Sequence, residues 1–251
     1  MIYVCSDIHG KYNYFMDILD KINFSDEDFL YIVGDVVDRG EEPIKTLQYI
    51  MSKENMTLII GNHEHMMLQS LLYNNDKQFS VWMLNGGGIT LDQFKELEKK
   101  DQDAIMVYLL RSPIIIPGVK VNDKKYYLAH ASHLSTYEEN PLIYVNASKD
   151  IIDHVVWSRD YANPNSSILN ERYSEIYAKY NDTILVIGHT PTFFTDYGKI
   201  ENNMPRISRT CKGHLINLDC GCAKNLPLGC LRLNDGKEFY SDLEENIKIK
   251  I

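Results

Sequence analysis

The sequence predicts an α/β fold in which a parallel β-sheet is covered by helices. Two observations lead to this prediction. Short apolar runs recur along the chain, and they have the length and the nearly continuous hydrophobicity of strands that are buried on both faces. Amphipathic helical patterns separate the early runs, and such a strand–helix alternation favours parallel strands joined by right-handed crossovers.

The predicted strands are seven apolar runs that are rich in β-branched residues. They span residues 2–5, 29–33, 57–60, 126–129, 183–187, 215–218 and 230–233. No internal repeat, low-complexity tract or linker rich in Pro, Gly or Ser divides the sequence. Residues 1–251 are therefore predicted to form a single domain.

The predicted helices follow from apolar residues that recur every three to four positions. Two such sets separate the first strands: Phe15, Ile18, Leu19 and Ile22, and then Ile44, Leu47 and Met51, which follow Pro43. Proline is favoured in the first turn of a helix, so the second helix is expected to begin there. Residues 81–111 are expected to be helical with a break at the glycines 86–88. Residues 135–179 are expected to form loops and short helix over one end of the sheet.

The composition excludes several classes of function. The chain has 251 residues, a mass of 29.1 kDa and a formal net charge of −9 at pH 7, which would repel a phosphate backbone, so no nucleic-acid partner is expected. No apolar run approaches the roughly 20 residues that span a bilayer, and no signal peptide is recognisable, so we expect no membrane association and a cytoplasmic location. The five cysteines are an odd number without C-x₂-C pairs, which favours reduced thiols over disulfides or a zinc site.

Short polar clusters follow five of the predicted strands. They are residues 7–10, 34–40, 61–64, His130 and residues 188–191. In open α/β sheets, the loops at the carboxyl ends of the strands converge and form the ligand-binding crevice. We therefore expect these clusters to form one site.

Six side chains of these clusters are candidate metal ligands: Asp7, His9, Asp35, Asn62, His130 and His189. Two carboxylates, one amide oxygen and three imidazoles exceed the needs of one tetrahedral ion and suit two ions that share a carboxylate. We expect Asp35 to be shared, Asp7 and His9 to bind the first ion, and the other three to bind the second. Two ions roughly 3.5–4 Å apart could hold a bridging hydroxide at neutral pH. The alternative is that these residues only cap turns and helices.

Three further residues are candidate catalytic groups. His63 directly follows a predicted ligand, and a histidine, which can carry a proton near neutral pH, could protonate a leaving alkoxide. Asp38 could orient that imidazole and stabilise its charged form, as a carboxylate does in a serine-protease triad. Arg39 could bind phosphate oxygens through two hydrogen bonds and offset charge in the transition state, or it could form a structural salt bridge.

Together these motifs resemble the calcineurin-like metallophosphoesterases. The resemblance rests on DIHG at residues 7–10, GDVVDRG at 34–40, GNHE at 61–64, a later histidine after a strand, and GHTP at 188–191. The second and third motifs are similar to those of the phosphoprotein phosphatase branch. Residues 82–88 and 156–159 are similar to segments of its compact bacterial and phage members. The resemblance covers residues 2–233.

The resemblance implies a four-layer fold, αββα, in which a β-sandwich of two mixed sheets is flanked by helices. A purely parallel sheet would then hold only for the first half of the chain. The resemblance also implies that Arg159 is a second phosphate-binding residue beside Arg39. It implies two divalent metal ions, usually Mn²⁺ in the test tube, with Fe or Zn as alternatives in the cell.

The substrates that the resemblance implies are proteins or peptides phosphorylated on serine or threonine, and on tyrosine for some members. They are attacked in line by a hydroxide that bridges the metal ions. Hydrolysis of symmetrical bis(5'-nucleosyl) tetraphosphates is an alternative on the same fold, although such enzymes alter the arginine motif. A catalytically inactive module that binds phosphorylated partners is an alternative of another class. The oligomeric state is left open, and a monomer is compatible with the sequence.

The sequence departs from the family pattern at two places. Ser132 replaces the usual glycine after His130, and the late segment contains Cys220 and Cys222, whose thiols could therefore lie near the metal ions. Two further histidines lie near predicted ligands in the sequence, His65 and His133. We interpret both as structural residues.

Overall fold

The computed structural model describes residues 1–73, 75–134, 140–162 and 183–242. The strands are β1 (Ile2–Cys5), β2 (Phe29–Val33), β3 (Met56–Ile59), β4 (Pro113–Val121), β5 (Lys124–Ala129), β6 (Leu142–Ile143), β7 (Thr183–Ile187), β8 (Lys199–Glu201), β9 (Met204–Arg206), β10 (Ser208–Thr210), β11 (Leu215–Asn217), β12 (Gly229–Arg232) and β13 (Glu238–Tyr240). The α-helices are α1 (Tyr12–Lys21), α2 (Pro43–Met51), α3 (Asn62–Leu72), α4 (Asp76–Leu84), α5 (Gly88–Glu96), α6 (Lys99–Arg111) and α7 (Lys149–Trp157).

Within the described residues, the strands form two mixed sheets and one small hairpin. The first sheet has the order β13-β12-β1-β2-β3, in which β1, β2 and β3 are parallel and the other two strands run antiparallel to their neighbours. The second has the order β10-β11-β7-β5-β4-β6, with a parallel centre of β11, β7 and β5. The prediction of one parallel sheet was therefore wrong beyond the first three strands. The sandwich of two mixed sheets that the resemblance implied is confirmed.

The side-chain alternation of the strands explains why two sheets pack face to face. Val4 of β1 and Leu128 of β5 belong to one buried cluster that draws residues from both sheets. Their neighbours Cys5 and Tyr127 point to the opposite faces and pack in the larger cluster together with the helices. Each sheet is thus covered by the other sheet on one face and by helices on the other.

The helices follow the predicted patterns closely. Helix α1 buries Phe15, Ile18 and Leu19 in the core, and α2 begins at Pro43 as expected. The predicted break at glycines 86–88 separates α4 from α5. No described helix is long and apolar enough to cross a membrane.

Strand β4 was missed because its sequence, PIIIPGVKV, contains two prolines and a glycine, which argue against a strand. In the structure, the register of β4 against β5 shifts between Ile116 and Val119, so a bulge accommodates Pro117 and Gly118. Of the irregular stretch predicted at residues 135–179, residues 140–162 contain β6 and α7. Its remaining parts, 135–139 and 163–179, lie outside the described residues.

Candidate functional site

The six predicted metal ligands follow the carboxyl ends of five strands: Asn62 begins α3, and the other five lie in loops. Three of these strands, β1, β2 and β3, belong to the first sheet, whereas β5 and β7 belong to the second. The expectation that all the clusters share one sheet edge is therefore corrected: the site lies where the edges of two packed sheets meet. All six side chains are buried.

Among the described residues, two groups of donor atoms are close enough to hold metal ions. One consists of His9, Asp35 and His63, and the other of Asp35, His130 and His189, with ligand atoms that lie within 4.8 Å of one another in each group. Asp35 belongs to both groups, which is the arrangement expected of a shared ligand. His63 was predicted to be a proton donor and not a ligand, so its place in the first group is a feature that the sequence did not indicate.

The remaining predicted ligands, Asp7 and Asn62, both contact His189. The Oδ1 atom of Asn62 lies 3.0 Å from Nε2 of His130 and 2.9 Å from Nδ1 of His189. The carboxylate of Asp7 accepts a hydrogen bond from the backbone N–H of His189, with N–O distances of 3.1 and 3.2 Å.

The donor set fits divalent cations. His130 donates through Nδ1 to the carbonyl oxygen of Val33 at 2.9 Å, so Nε2 is the ring atom that can bind a cation once it has lost its proton. Two acceptor oxygens converge on Nε2, Oδ1 of Asn62 at 3.0 Å and Oδ2 of Asp35 at 3.3 Å. Buried acceptors that converge in this way need a positive charge between them. In addition, Nε2 of His189 is buried and has no hydrogen-bond partner among the described residues.

The electrostatics of the site agree with this requirement. Burial opposes the charged form of His130, but the carboxylates of Asp35 and Asp7 outweigh it and raise the pKa of His130 to about 10. Burial also opposes ionisation of Asp35, yet the neighbouring histidines hold its pKa well below the usual range. Burial and the charge of His130 lower the pKa of His189 to about 3, so this ring is neutral, as a metal-binding imidazole must be. The site thus favours positive charge beside Asp35.

The close packing of backbone against ligand side chains requires glycine at two positions. A Cβ atom on Gly188 would lie 2.1 Å from Oδ2 of Asp7, and one on Gly61 would lie 2.2 Å from Oδ1 of Asp35. Both distances are far below van der Waals contact. These glycines explain why the GHTP and GNHE motifs begin as they do.

Several site residues have left-handed backbone conformations that non-glycine residues rarely adopt. Asp7, His9, Asp35 and His189 have φ values between 48° and 68°, and Asp38 and Arg39 have φ values of 73° and 68°. Backbone hydrogen bonds between adjacent loops hold this conformation, among them Asp7 N–H to the carbonyl of Gly34 at 3.0 Å. Such strain concentrates at functional sites because it aims several side chains at one point.

Glu64 connects two of these loops. Its buried carboxylate accepts hydrogen bonds from the backbone N–H groups of Asp35, Val36, Val37 and Gly61, at 2.7–3.1 Å. Burial and the charge of Asp35 raise the pKa of Glu64, while these donors oppose the rise. Four N–H donors on two oxygens are the pattern of an ionised carboxylate, since a protonated one would present its O–H to an N–H.

Of the predicted catalytic groups, His63 belongs to the first donor group, and the others lie beside the donor groups. Nδ1 of His63 lies 2.6 Å from Oδ2 of Asp38, and both side chains are fully buried. Both predicted arginines are exposed. The Arg39 guanidinium lies 3.1 Å from Nε2 of His9, and that of Arg159 lies 3.5 Å from Oγ1 of Thr190, next to His189. The two positive groups thus lie at the two ends of the donor cluster and are open to solvent.

Comparison with known proteins identifies the family of this chain. Residues 1–214 match the family of calcineurin-like phosphoesterases. The chain belongs to this family. A curated relative, serine/threonine-protein phosphatase 2 of Salmonella typhimurium, is 35% identical over 161 residues, which are 63% of this chain and 68% of that protein.

Two further similarities extend over nearly the whole phosphoesterase. The symmetrical bis(5'-nucleosyl)-tetraphosphatase of Buchnera aphidicola subsp. Schizaphis graminum is 24% identical over 289 aligned residues, which cover 98% of each protein. The crystal structure of a putative diadenosine tetraphosphatase superposes with a TM-score of 0.61 at 18% identity, and the match covers 98% of this chain and 94% of that one. At this identity the superposition shows the fold alone.

The cysteines and the other histidines of the phosphoesterase do not join the donor groups. Within the described ranges, neither candidate metal group contains a cysteine. The Sγ of Cys222 donates to the carbonyl of Ile8 at 3.5 Å. Nδ1 of His65 lies 2.8 Å from the hydroxyl of Tyr144, so His65 links α3 to the segment that precedes α7.

Glu64, Trp82 and Thr90 were not recognised from the sequence as parts of the site. A glycine followed three positions later by glutamate resembles a capping box, which indicates the contact of Glu64 with Gly61. The other hydrogen bonds of these three side chains join residues 27–52 positions apart. No local pattern indicates them.

Proposed function

We propose that this phosphoesterase is a metal-dependent protein phosphatase that hydrolyses phosphoserine and phosphothreonine. The observation that carries the proposal is the buried pair of His63 and Asp38 next to Asp35, the residue that both donor groups share. Such a pair suits a reaction whose leaving group is a strong base and must be protonated, as the alkoxide of serine or threonine is.

Two divalent cations would be held by the six predicted ligands, with Asp35 common to both. Asp7 and His9 would complete the first position, and Asn62, His130 and His189 the second. Such cations, when bound, polarise a phosphoryl oxygen and make a water molecule more acidic. Mixed oxygen and imidazole donors suit Mn²⁺, and iron or zinc is compatible with the same set.

The arginines would bind the substrate's phosphoryl group. Arg39 and Arg159 are exposed at the two ends of the donor cluster, so each can donate hydrogen bonds to phosphoryl oxygens. Their charges would offset the negative charge that develops on these oxygens as the water oxygen approaches phosphorus in line with the leaving oxygen.

His63 would donate the proton that the leaving oxygen needs. Asp38 accepts the hydrogen bond from Nδ1, so the proton to be transferred is on Nε2. This buried atom has no hydrogen-bond partner in the part of the chain that the structure describes. The bond between phosphorus and the leaving oxygen breaks as this proton moves to that oxygen. Asp38 stabilises the imidazolium before the transfer and keeps the ring oriented afterwards.

A dinucleoside tetraphosphate is the second candidate substrate, and the similarity over 98% of the Buchnera enzyme favours it. Its leaving group is a phosphate oxygen, which is far less basic than an alkoxide and gains less from a proton donor. The His63–Asp38 pair and the more identical Salmonella relative therefore support the phosphomonoester.

Substitutions at His63 and Asp35 test the proposal. On a phosphothreonine peptide, we expect His63→Asn to lose about 10²–10⁴-fold in kcat while its manganese content stays unchanged. Asp35→Asn should lose both turnover and metal, because a shared ligand is removed. His214→Asn, which alters a histidine remote from the donor groups, is the control and should retain both. Normal turnover by His63→Asn on the peptide would refute the assignment of the acid.

Parallel assays with a phosphothreonine peptide, a phosphotyrosine peptide and diadenosine tetraphosphate decide among the substrates. We expect the highest kcat/KM for the phosphothreonine peptide. A higher value for the dinucleotide would overturn the proposed substrate but not the proposed site. Wild-type protein with two metals bound and no turnover of any phosphoester would instead favour a phosphate-binding module. A cytoplasmic location stays a prediction.

A further inference from the structure

The Asp38 carboxylate accepts hydrogen bonds from other side chains besides His63. The indole N–H of Trp82 donates to both carboxylate oxygens, at 3.0 and 2.8 Å. The hydroxyl of Thr90 donates to Oδ1 at 2.6 Å. Together with His63, three side chains converge on a carboxylate that is fully buried.

The Thr90 hydroxyl contacts Asp38 twice. Besides donating to the carboxylate, it accepts a hydrogen bond from the backbone N–H of Asp38 at 2.9 Å. Asp38 has a φ of 73°, a conformation that costs free energy for a residue with a side chain. One hydroxyl therefore secures both the backbone and the side chain of the residue that contacts His63.

The turn between α4 and α5 brings these two side chains into place. Trp82 lies near the end of α4, and Thr90 lies in the first turn of α5. Between them, a Cβ atom on Gly87 would lie 2.5 Å from Nε1 of Trp82, so glycine is needed for the indole to reach Asp38. The same turn holds the first arginine, because Nε of Arg39 donates to the carbonyl of Asn85 at 3.3 Å.

We propose that Trp82 and Thr90 are positioning residues for the reaction: they orient the Asp38 carboxylate and thereby keep the His63 ring directed at the leaving oxygen. This inference rests on the proposed function of His63 as the proton donor. A carboxylate excluded from water retains a single orientation only when its oxygens are hydrogen-bonded. Without these donors, Asp38 could rotate and the ring of His63 would lose its alignment.

The dependence of rate on the leaving group separates positioning from general stability. A misaligned proton donor slows the departure of an alkoxide, whereas 4-nitrophenolate leaves readily without a proton. For Thr90→Val, which removes the hydroxyl at nearly constant shape, we expect kcat to fall about 10-fold or more on a phosphothreonine peptide. On 4-nitrophenyl phosphate, we expect less than about a 3-fold loss. KM and metal content should stay unchanged, and Trp82→Phe should show the same pattern.

Two controls accompany these variants. Thr90→Ser keeps a hydroxyl at this position, unlike Thr90→Val, and should keep peptide turnover within about 3-fold of the wild type. Thr46→Val removes another fully buried hydroxyl, which donates to the carbonyl of Glu42 at 2.7 Å away from Asp38, and should change neither substrate's rate. A readout that needs no metal is the indole N–H resonance of Trp82. It should shift in Asp38→Asn, while the resonance of Trp157 should not.

The reference variant His63→Asn shows whether a negative result concerns the positioning role alone or the proposed function as well. If it loses peptide turnover selectively but Thr90→Val slows both substrates equally, or neither, the positioning role is wrong and the proposed function stands. If His63→Asn itself shows no dependence on the leaving group, the proposed function fails. The double variant of His63 and Thr90 should be no slower on the peptide than His63→Asn alone, because residues that act through one group are not additive.

Discussion

The carboxylate of Glu64 provides a quantitative test of how the site is held together. Its Oε1 accepts from the N–H groups of Val36 and Val37 at 2.7 and 3.1 Å, and Oε2 accepts from those of Asp35 and Gly61 at 2.9 Å each. The substitution Glu64→Gln keeps the shape of the side chain but replaces one oxygen with an NH₂ group. In either orientation of the amide, that NH₂ group faces two N–H donors.

The size of the effect follows from these contacts. Two hydrogen bonds to a charged acceptor are lost, and each contributes about 1.5–3 kcal/mol, so the free energy of unfolding should fall by about 3–6 kcal/mol. That is a large share of the roughly 5–15 kcal/mol by which a domain is stable. The two bonds that remain also weaken, because the acceptor is no longer charged.

Urea unfolding followed by circular dichroism, in the presence of a chelator, measures this loss separately from any metal binding. The control is Glu42→Gln, since Glu42 forms an ion pair with Lys45 near the surface, Oε1 to Nζ 2.6 Å, and should lose less than about 1 kcal/mol. A Glu64→Gln variant within about 1 kcal/mol of the wild type would show that the four amides find other partners. The proposed role of this carboxylate would then be wrong.

Three further predictions follow from the structure. Gly188→Ala should reduce manganese affinity at least about 10-fold, measured by calorimetry, because its Cβ would lie 2.1 Å from an oxygen of Asp7, whereas Gly88→Ala, with open space around its Cβ, should leave it unchanged. Burial raises the pKa of all five thiols, and Cys211 is the least buried, so native protein should react with an alkylating reagent first there; prior labelling of another cysteine would contradict this. Burial lowers the pKa of His65 to about 4, below its unfolded value of about 6.5. Between these pH values the unfolded chain binds more protons than the folded protein. The free energy of unfolding should therefore fall as the pH drops from about 6.5 to about 4. Unfolding curves of His65→Gln should show a smaller decline over that range, and an equal decline would exclude this cause.

Much of the candidate site could be predicted because its residues directly follow segments that are recognisable as strands from the sequence. Asp7, Asp35, Asn62, His130 and His189 each follow the end of a strand within a few residues. An apolar run is recognisable from its own residues, and the polar group after it is then at a known end of a known element. The predicted helices were recognisable for the same reason, because the helical spacing of their apolar residues lies within one continuous segment of the sequence.

The pairing of the strands could not be obtained in this way. Nothing in the runs ending at Ala129 and Ile187 indicates that they form a second sheet, because both sheets have parallel centres and similar apolar strands. Strand β4 was hidden by prolines that a bulge accommodates. Sheet membership depends on packing between faces, which involves residues far apart in the chain.

The sequence by itself therefore determined which residue types supply the chemistry and that they stand at strand ends. Only the tertiary structure decided how they are supported. The hydrogen bonds of Glu64 to the loop of Asp35, and of Trp82 and Thr90 to Asp38, join segments 25 or more residues apart. Their formation depends on burial, which makes an unpaired carboxylate too costly. The secondary-structure propensities of single segments do not predict such contacts, because these side chains become buried only when the chain has folded.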